Sequence, residues 1–389
     1  MTIRRSYPFI ILAATLFAFN LSLGISRSIQ NNFWVDVLGL RPDQMGILIT
    51  ARETPGFLTV ALAALTMRIA PSRLASACFV IMAIGYYAYG LATSFTTIVP
   101  GVVVASIGFH LWATLNGSFG LSVAREHDTG SVLGDLQAVG FVAGLLGLLG
   151  VLIGIGTIGY AAAFAISGLA MLVGAAAIAS FPDHIVHRSP QRLVIRPRYA
   201  LYYALNFFEG CRFELFQAFG IYLLVQEYRQ PVQVIAVLFM IVGVGSAVLS
   251  PPVGRLIDRF GERATMTVGY LGMLGTFLGF ALWHDALAAT ILYVAYNVLL
   301  LSEIGVNSYL KKIARPEDVR PSLAAGLTMM HVPALVVPIL GGALWNAYGF
   351  AVPFLLGAGF ITASLLATQF IPRPAAAPAL EPAAPRPAP

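Results

Sequence analysis

YALYYALNFFEGCRFELFQAFGIYLLV, residues 199–225, is a run of aromatic and aliphatic side chains interrupted by Glu209, Arg212 and Glu214. As a helix it would rise about 1.5 Å per residue, more than enough to cross the ~30 Å hydrocarbon core of a bilayer. A charge at the bilayer centre costs at least about 2.5–3.5 kcal/mol on insertion scales, so these residues must face partners or water rather than lipid. The stretch therefore reads as a membrane crossing that borders a polar interior, and such an interior needs other crossings around it.

The rest of the chain supplies them. Hydrophobic residues make up 58% of the 389 positions and mean hydropathy is +0.82, beyond the roughly 45–50% apolar content of soluble domains. Twelve stretches are long enough to span: 8–30, 44–67, 74–93, 97–121, 131–155, 158–181, 199–225, 232–257, 264–283, 286–309, 321–345 and 350–371. The first follows Arg4 and Arg5 but is too long for a secretory signal, contains Asn20 and Arg27, and lacks a small-x-small cleavage site, so it is read as a span. Cys78 and Cys211 both fall inside spans, without metal or redox spacing.

The formal charge of +6 has a topological explanation and does not point to nucleic acid. Of 23 Lys and Arg, Arg27, Arg52 and Arg212 lie within spans, Arg41 and Arg229 on one side, and the remaining 18 on the other. That asymmetry places both termini in the cytoplasm, with the plasma (inner) membrane as the expected location.

The polar segment FPDHIVHRSPQRLVIRPR (181–198) separates six spans from six. The expected organisation is a bundle over 1–181, a linker over 182–198, a bundle over 199–371 and a disordered Pro/Ala-rich tail over 372–389. The halves echo each other at an offset near 190: RPDQMGIL (41–48) with RQPVQVIAVL (229–238), AREHDTGS (124–131) with ARPEDVRPS (314–322), and Asn116 with Asn307. GxxxxGK[ST] is absent and the loops are too small for a nucleotide-binding module, so ATP is not the expected direct energy source.

GRLIDRFGER (254–263) joins the eighth and ninth spans. Its Gly254, Leu256, Asp258, Arg259, Gly261 and Arg263 resemble the conserved G-x-L-x-D-R-x-G-x-R loop of the major facilitator superfamily (MFS). The resemblance implies an all-α membrane fold of 12 transmembrane helices in two pseudo-symmetric six-helix bundles, working as a secondary transporter. It also implies that Asp258, Arg259 and Arg263 form a latch on the cytoplasmic side. Gly254 would permit close helix contact and Gly261 a tight turn. The first-half copy ALTMRIAPSR (64–73) departs from the motif, with Met67 where the acid should stand. Glycines at 134, 140, 144, 147, 150 and 154 read as a close-packing surface on the fifth span.

Helical phase sorts the intramembrane polar residues. Asn206, Glu209, Arg212 and Phe216 share an arc facing the cavity, while Glu214 lies about 140° from Glu209 and points to a neighbouring helix. Asn20, Gly24, Arg27 and Asn31 share a face of the first helix. Arg27 and Arg212, at related depth in the two halves, resemble the arginine pair of the family's organophosphate/phosphate exchangers, which implies an anionic substrate. The competing reading has Arg212 neutralising Glu209, and Arg27 pairing with Glu53 or Glu209. Asn20, Glu209, His110 and Asn307 complete the candidate substrate set, and Glu53, Arg52, Glu209 and Glu303 are candidates for coupling or gating. Pro55-Gly56 allows a kink, and Tyr293 and Tyr296 offer aromatic walls. His331 precedes Pro333 and Pro338.

EHD (126–128) sits in an inner loop and is not read as a metal site. No nucleophile–base arrangement marks an enzyme, and no cofactor is expected. The expected partners are a small solute, the proton as coupling ion, and membrane lipid, with the protein a monomer. Export of hydrophobic or cationic compounds, and a non-transporting membrane sensor of the same fold, are the alternatives.

Overall fold

A computed structural model describes residues 6–124, 128–186 and 195–372. Among them nine helices are long and apolar enough to cross a membrane. Three further crossings have physical reasons for falling short of that pattern. Thr129–Ala179 is two spans, five and six, bent at Gly159, whose φ of 73° breaks the helix. Ala200–Gln226, the seventh span, carries the three ionic residues. The second is split into Pro42–Phe57 and Thr59–Leu65, just after Pro55 and Gly56.

The other crossings are Tyr7–Asn32, extended by a π-helical turn at Phe33–Val37, then Pro71–Leu91, Phe95–Ser122, Val232–Phe260, Glu262–Leu282 and Ala351–Thr368. The tenth span is tightened to a 3₁₀ turn at Leu300–Glu303 between Ala286–Leu299 and Ile304–Ile313. The eleventh runs Pro316–His331, then a turn at Pro333–Leu335, then Val337–Tyr348. Proline lacks the amide that would continue the helix, which accounts for the break around Pro333, while Pro55 and Gly56 weaken the second span close to where it divides. With twelve crossings, residues 6 and 372 lie on one face, here called the termini face; the opposite one is the far face.

Pseudo-symmetry is written into the backbone. Gly39 and Arg229 have φ of 60° and 52°, and Gly159 and Gly349 have 73° and 92°; both pairs stand 190 positions apart. Each places a left-handed residue at the same turn of each bundle, where only glycine adopts it at no cost. This register corrects the depth argument for the arginines: Arg27 corresponds to Gln217, five residues or about 7.5 Å beyond Arg212 along the helix.

Within the first bundle, spans one and five pack backbone to backbone. A Cβ on Gly24 would strike the Gly144 carbonyl, and one on Gly147 would strike Leu21. Gly140 accommodates the Asn20 side chain. Gly134, Gly150 and Gly154 face open space, so only part of the expected glycine surface is used.

Between bundles the contacts gather on the far face. Asn32 Nδ2 donates to the Gln230 carbonyl at 3.0 Å, and Tyr222 OH donates to the Leu40 carbonyl at 2.9 Å. Spans two and eleven meet there closely, since a Cβ on Gly46 would collide with the Pro338 carbonyl and one on Gly342 with that of Pro42. On the termini face the interactions seen join elements of a single bundle. Ser72 holds Asp183 in the first; in the second, Asp318 accepts from Arg196, Arg198 and Tyr199.

Candidate functional site

The far-face seal roofs a lumen, and Arg27 reveals it. Its side chain is exposed, although Tyr86, Arg52, Glu53 and Tyr293 surround it electrostatically from spans three, two and ten. The guanidinium lies 5.8 Å from the Phe109 ring centroid. Its exposed side chain thus lies among four other helices, beneath the far-face contacts, in the space between the bundles. Among the described residues it engages no ion pair, so neither the pairing with Glu53 nor that with Glu209 is formed.

Arg212 is the opposite case. It is fully buried, ion-paired with Glu303, and its Nε donates to Tyr296 OH at 3.2 Å; Tyr270 lies below its guanidinium at 5.5 Å. Phe216 caps the arrangement, its ring 3.8 Å from Tyr296 and 5.0 Å from Tyr293 between centroids. The expectation that Arg212 lines the cavity is therefore corrected: it is buried, its ion-pair partner is Glu303 on the 3₁₀ turn of the tenth span, and Glu209 also acts on it electrostatically, as the neutralising arrangement expected. A buried ion pair of this kind holds a bundle together because neither partner tolerates being left alone.

Glu209, one turn from Arg212 toward the termini face, lines a cleft of about 240 Å³ with Tyr202, Asn206, Glu303, Asn307 and Met330. Asn307 is exposed to it and accepts from Tyr202 OH at 3.2 Å, while Asn206 Nδ2 bonds back to the Tyr202 carbonyl. Asn20 likewise bonds back, to the Leu16 carbonyl at 2.8 Å.

Glu53 sits where the bundles meet. Its Oε1 accepts from Arg52 Nε at 3.0 Å and, across the interface, from Gln217 Nε2 at 3.2 Å. Its Oε2 is 3.7 Å from His110 Nε2, and the His110 ring stands 6.0 Å from that of His331 in the other bundle. His110 also fills the notch left by Gly56, whose hydrogen leaves room for the imidazole. Gln217 and His331 were not among the residues the sequence singled out for the site. Gln217 carried no charge to draw notice, though the 190-residue register pairs it with Arg27.

The loop motif lies at the junction of spans eight and nine. Gly261 adopts φ 80° and makes the turn. Asp258 and Arg259 are exposed and form no ion pair among the described residues; Arg259 stacks on Phe260 at 5.1 Å. Arg263 donates to Gln369 Oε1 at 3.1 Å, tying span nine to span twelve. Gly254 faces open space, so the close contact expected there is not made. Glu126 and His127, and the tail from 373, lie outside the described residues. Among those described, no group of His, Cys, Asp or Glu is placed to hold a metal ion.

The profile of the Major Facilitator Superfamily matches residues 9–307 and 202–389. The chain belongs to the major facilitator superfamily. It is a multi-pass membrane transporter and not an enzyme. An uncharacterized MFS-type transporter of Methanocaldococcus jannaschii is 24% identical over 127 residues, 32% of this chain and 32% of that protein's length. Solved MFS structures superpose over nearly the whole chain. A point mutant of the nucleoside transporter NupG gives a TM-score of 0.78 at 13% identity, covering 94% of this chain and 100% of that one. A bacterial homolog of the human lysosomal transporter Spinster, inward-facing and occupied, gives 0.71 at 15%, covering 95% and 97%. The xylose transporter XylE from E. coli, in an inward-open conformation, gives 0.67 at 16%, covering 95% and 96%. At these identities the likeness concerns the fold.

Proposed function

We propose that this MFS secondary transporter carries a small solute with an anionic group, which Arg27 grips near mid-membrane. The observation that carries this reading is the guanidinium of Arg27, exposed, in no ion pair among the described residues and beside Phe109, while Arg52 and Arg212 are committed to Glu53 and Glu303. Guanidinium presents parallel donors that match a carboxylate or phosphate. The positive-inside bias supports a cytoplasmic termini face in the plasma membrane, so the conformation described is open inward. Rocking of the bundles about the lumen would then expose Arg27 to each side in turn.

A thermal-stability screen of purified protein tests the solute class, because a ligand that binds the native state raises Tm. Organic anions should stabilise the wild type and lose that effect in Arg27→Lys and Arg27→Gln. Stabilisation by cations or neutral solutes alone, with every anion silent, would overturn the reading.

A second reading, export of a cationic or hydrophobic compound, is favoured by Glu209, whose carboxylate faces the cleft while Arg212 is spent on Glu303. There Glu209→Gln would abolish stabilisation and Arg27→Lys would leave it intact. Counterflow in proteoliposomes separates both from a non-transporting sensor.

A further inference from the structure

We propose that Glu214 is a proton-carrying site that fastens the far face: it holds a proton while spans two and seven are in contact, and gives it up when that contact opens. The inference rests on the alternating-access reading, but not on the charge of the solute.

Glu214 is 2% exposed, and its Oε2 has no hydrogen-bond partner among the described residues. It lies three residues from Gln217, on the face of the seventh span that meets the second. The charged groups facing it there are Glu53 and Arg52. Arg52 Nε is occupied by Glu53 Oε1, which also takes the Gln217 amide. Behind Glu53 stand His110 and then His331. Arg27, from the first span, reaches Glu53 electrostatically, and its side chain is exposed.

On its own helix, Glu209 and Arg212 point away, and Arg212 is ion-paired with Glu303. Spans nine and ten present Tyr270, Tyr293 and Tyr296 on that other side. Ala351–Thr368 and Val337–Tyr348 contribute no charged residue.

The enclosed set is thus two carboxylates against one guanidinium. Uncompensated negative charge held away from water is costly, and one proton removes it. The acid without a donor, Glu214, is where that proton belongs. When the bundles rock and the far face opens, water reaches this contact, the O–H bond of Glu214 breaks, and the proton leaves to far-side water from a carboxylate that is now solvated. When the contact re-forms, Glu214 takes a proton back from the far-side water being expelled, so closure of the far face is coupled to protonation of this one carboxylate.

The test uses the full-length protein in nanodiscs without added solute. Cys78 and Cys211 are replaced by alanine and spin labels are placed at Val37→Cys and Glu227→Cys, on opposite bundles at the far face. Inter-label distances are read by electron paramagnetic resonance from pH 5 to 9. A proton held more tightly in the closed state must favour closure at low pH and lose it as pH rises, by up to about tenfold per pH unit. The closed population should follow that one-proton curve in the wild type and stay closed throughout in Glu214→Gln. A pH-independent wild type, or a Glu214→Gln protein that titrates like it, overturns the proposal. Should Glu214→Gln fail to fold, Glu214→Asp decides: a shifted midpoint supports the site and an unmoved one overturns it. A silent anion screen leaves this result untouched, and a flat pH response leaves the anion reading standing.

Discussion

Asn32 and Tyr222 stand 190 positions apart and do the same work from opposite bundles. Asn32 donates to the Gln230 carbonyl and Tyr222 to the Leu40 carbonyl, and those acceptors are themselves 190 apart. Two bundles related by an axis along the membrane normal cross-brace each other in this way, each helix end reaching the other's first turn.

Removing either brace should open the far face. Tyr222→Phe and Asn32→Ala each delete one hydrogen bond between the bundles with a net worth of about 0.5–1.5 kcal/mol, and Asn32→Ala also removes a bond to Asp36 within its own bundle. Either change should raise far-side thiol labelling of a cysteine at position 27 severalfold. The double variant should approach the sum, since the two bonds share no atoms.

Gly46 and Gly342 are predicted to be conformational locks. A Cβ at either meets backbone of the other bundle, which cannot yield as a flexible side chain can. Gly46→Val or Gly342→Val should leave expression intact and shift the protein to the far-open state, read as far-side labelling with loss of counterflow. Labelling unchanged from wild type would show that spans two and eleven do not close against each other during the cycle.

Arg212 and Glu303 should show strong coupling in stability. Arg212→Met or Glu303→Leu alone leaves a buried charge without its partner and should cost about 3–5 kcal/mol, whereas the double replacement should recover most of it. Thermal unfolding in detergent measures this. If the pair instead formed part of the solute grip, the double variant would unfold like wild type but lose ligand stabilisation.

Asp318 pins the segment entering the seventh span, receiving Arg196 Nε at 2.6 Å and Tyr199 OH at 3.0 Å while only 2% exposed. Asp318→Ala strands these donors and should speed tryptic cleavage after Arg198. Cleavage at the wild-type rate would place the restraint elsewhere.

Much of the fold could be read from the chain. Spans one and seven announced themselves by length and apolarity, Gly261 by the turn its motif required, and the irregularity of span two by the Pro55-Gly56 pair that allows a kink. The polar contacts were less legible. Helical phase put Glu209 at the cleft, but it also put Arg212 there, because phase gives direction and not the identity of the neighbour met. Glu214 was set aside as facing another helix. It does face one, and that helix is the second span of the other bundle, carrying the acid and base that matter to it.

Composition, periodicity and the placement of glycine and proline determined the crossings and their order, because a bilayer excludes unpaired backbone and so leaves a long apolar run no alternative to a helix. Tertiary structure alone decided that Arg27 is exposed while Arg212 is sealed against Glu303, and that Gln217 reaches Glu53. Those outcomes depend on how helices distant in sequence rotate and settle against one another, and pairing energies between buried charges are fixed by ångström separations that no linear pattern encodes.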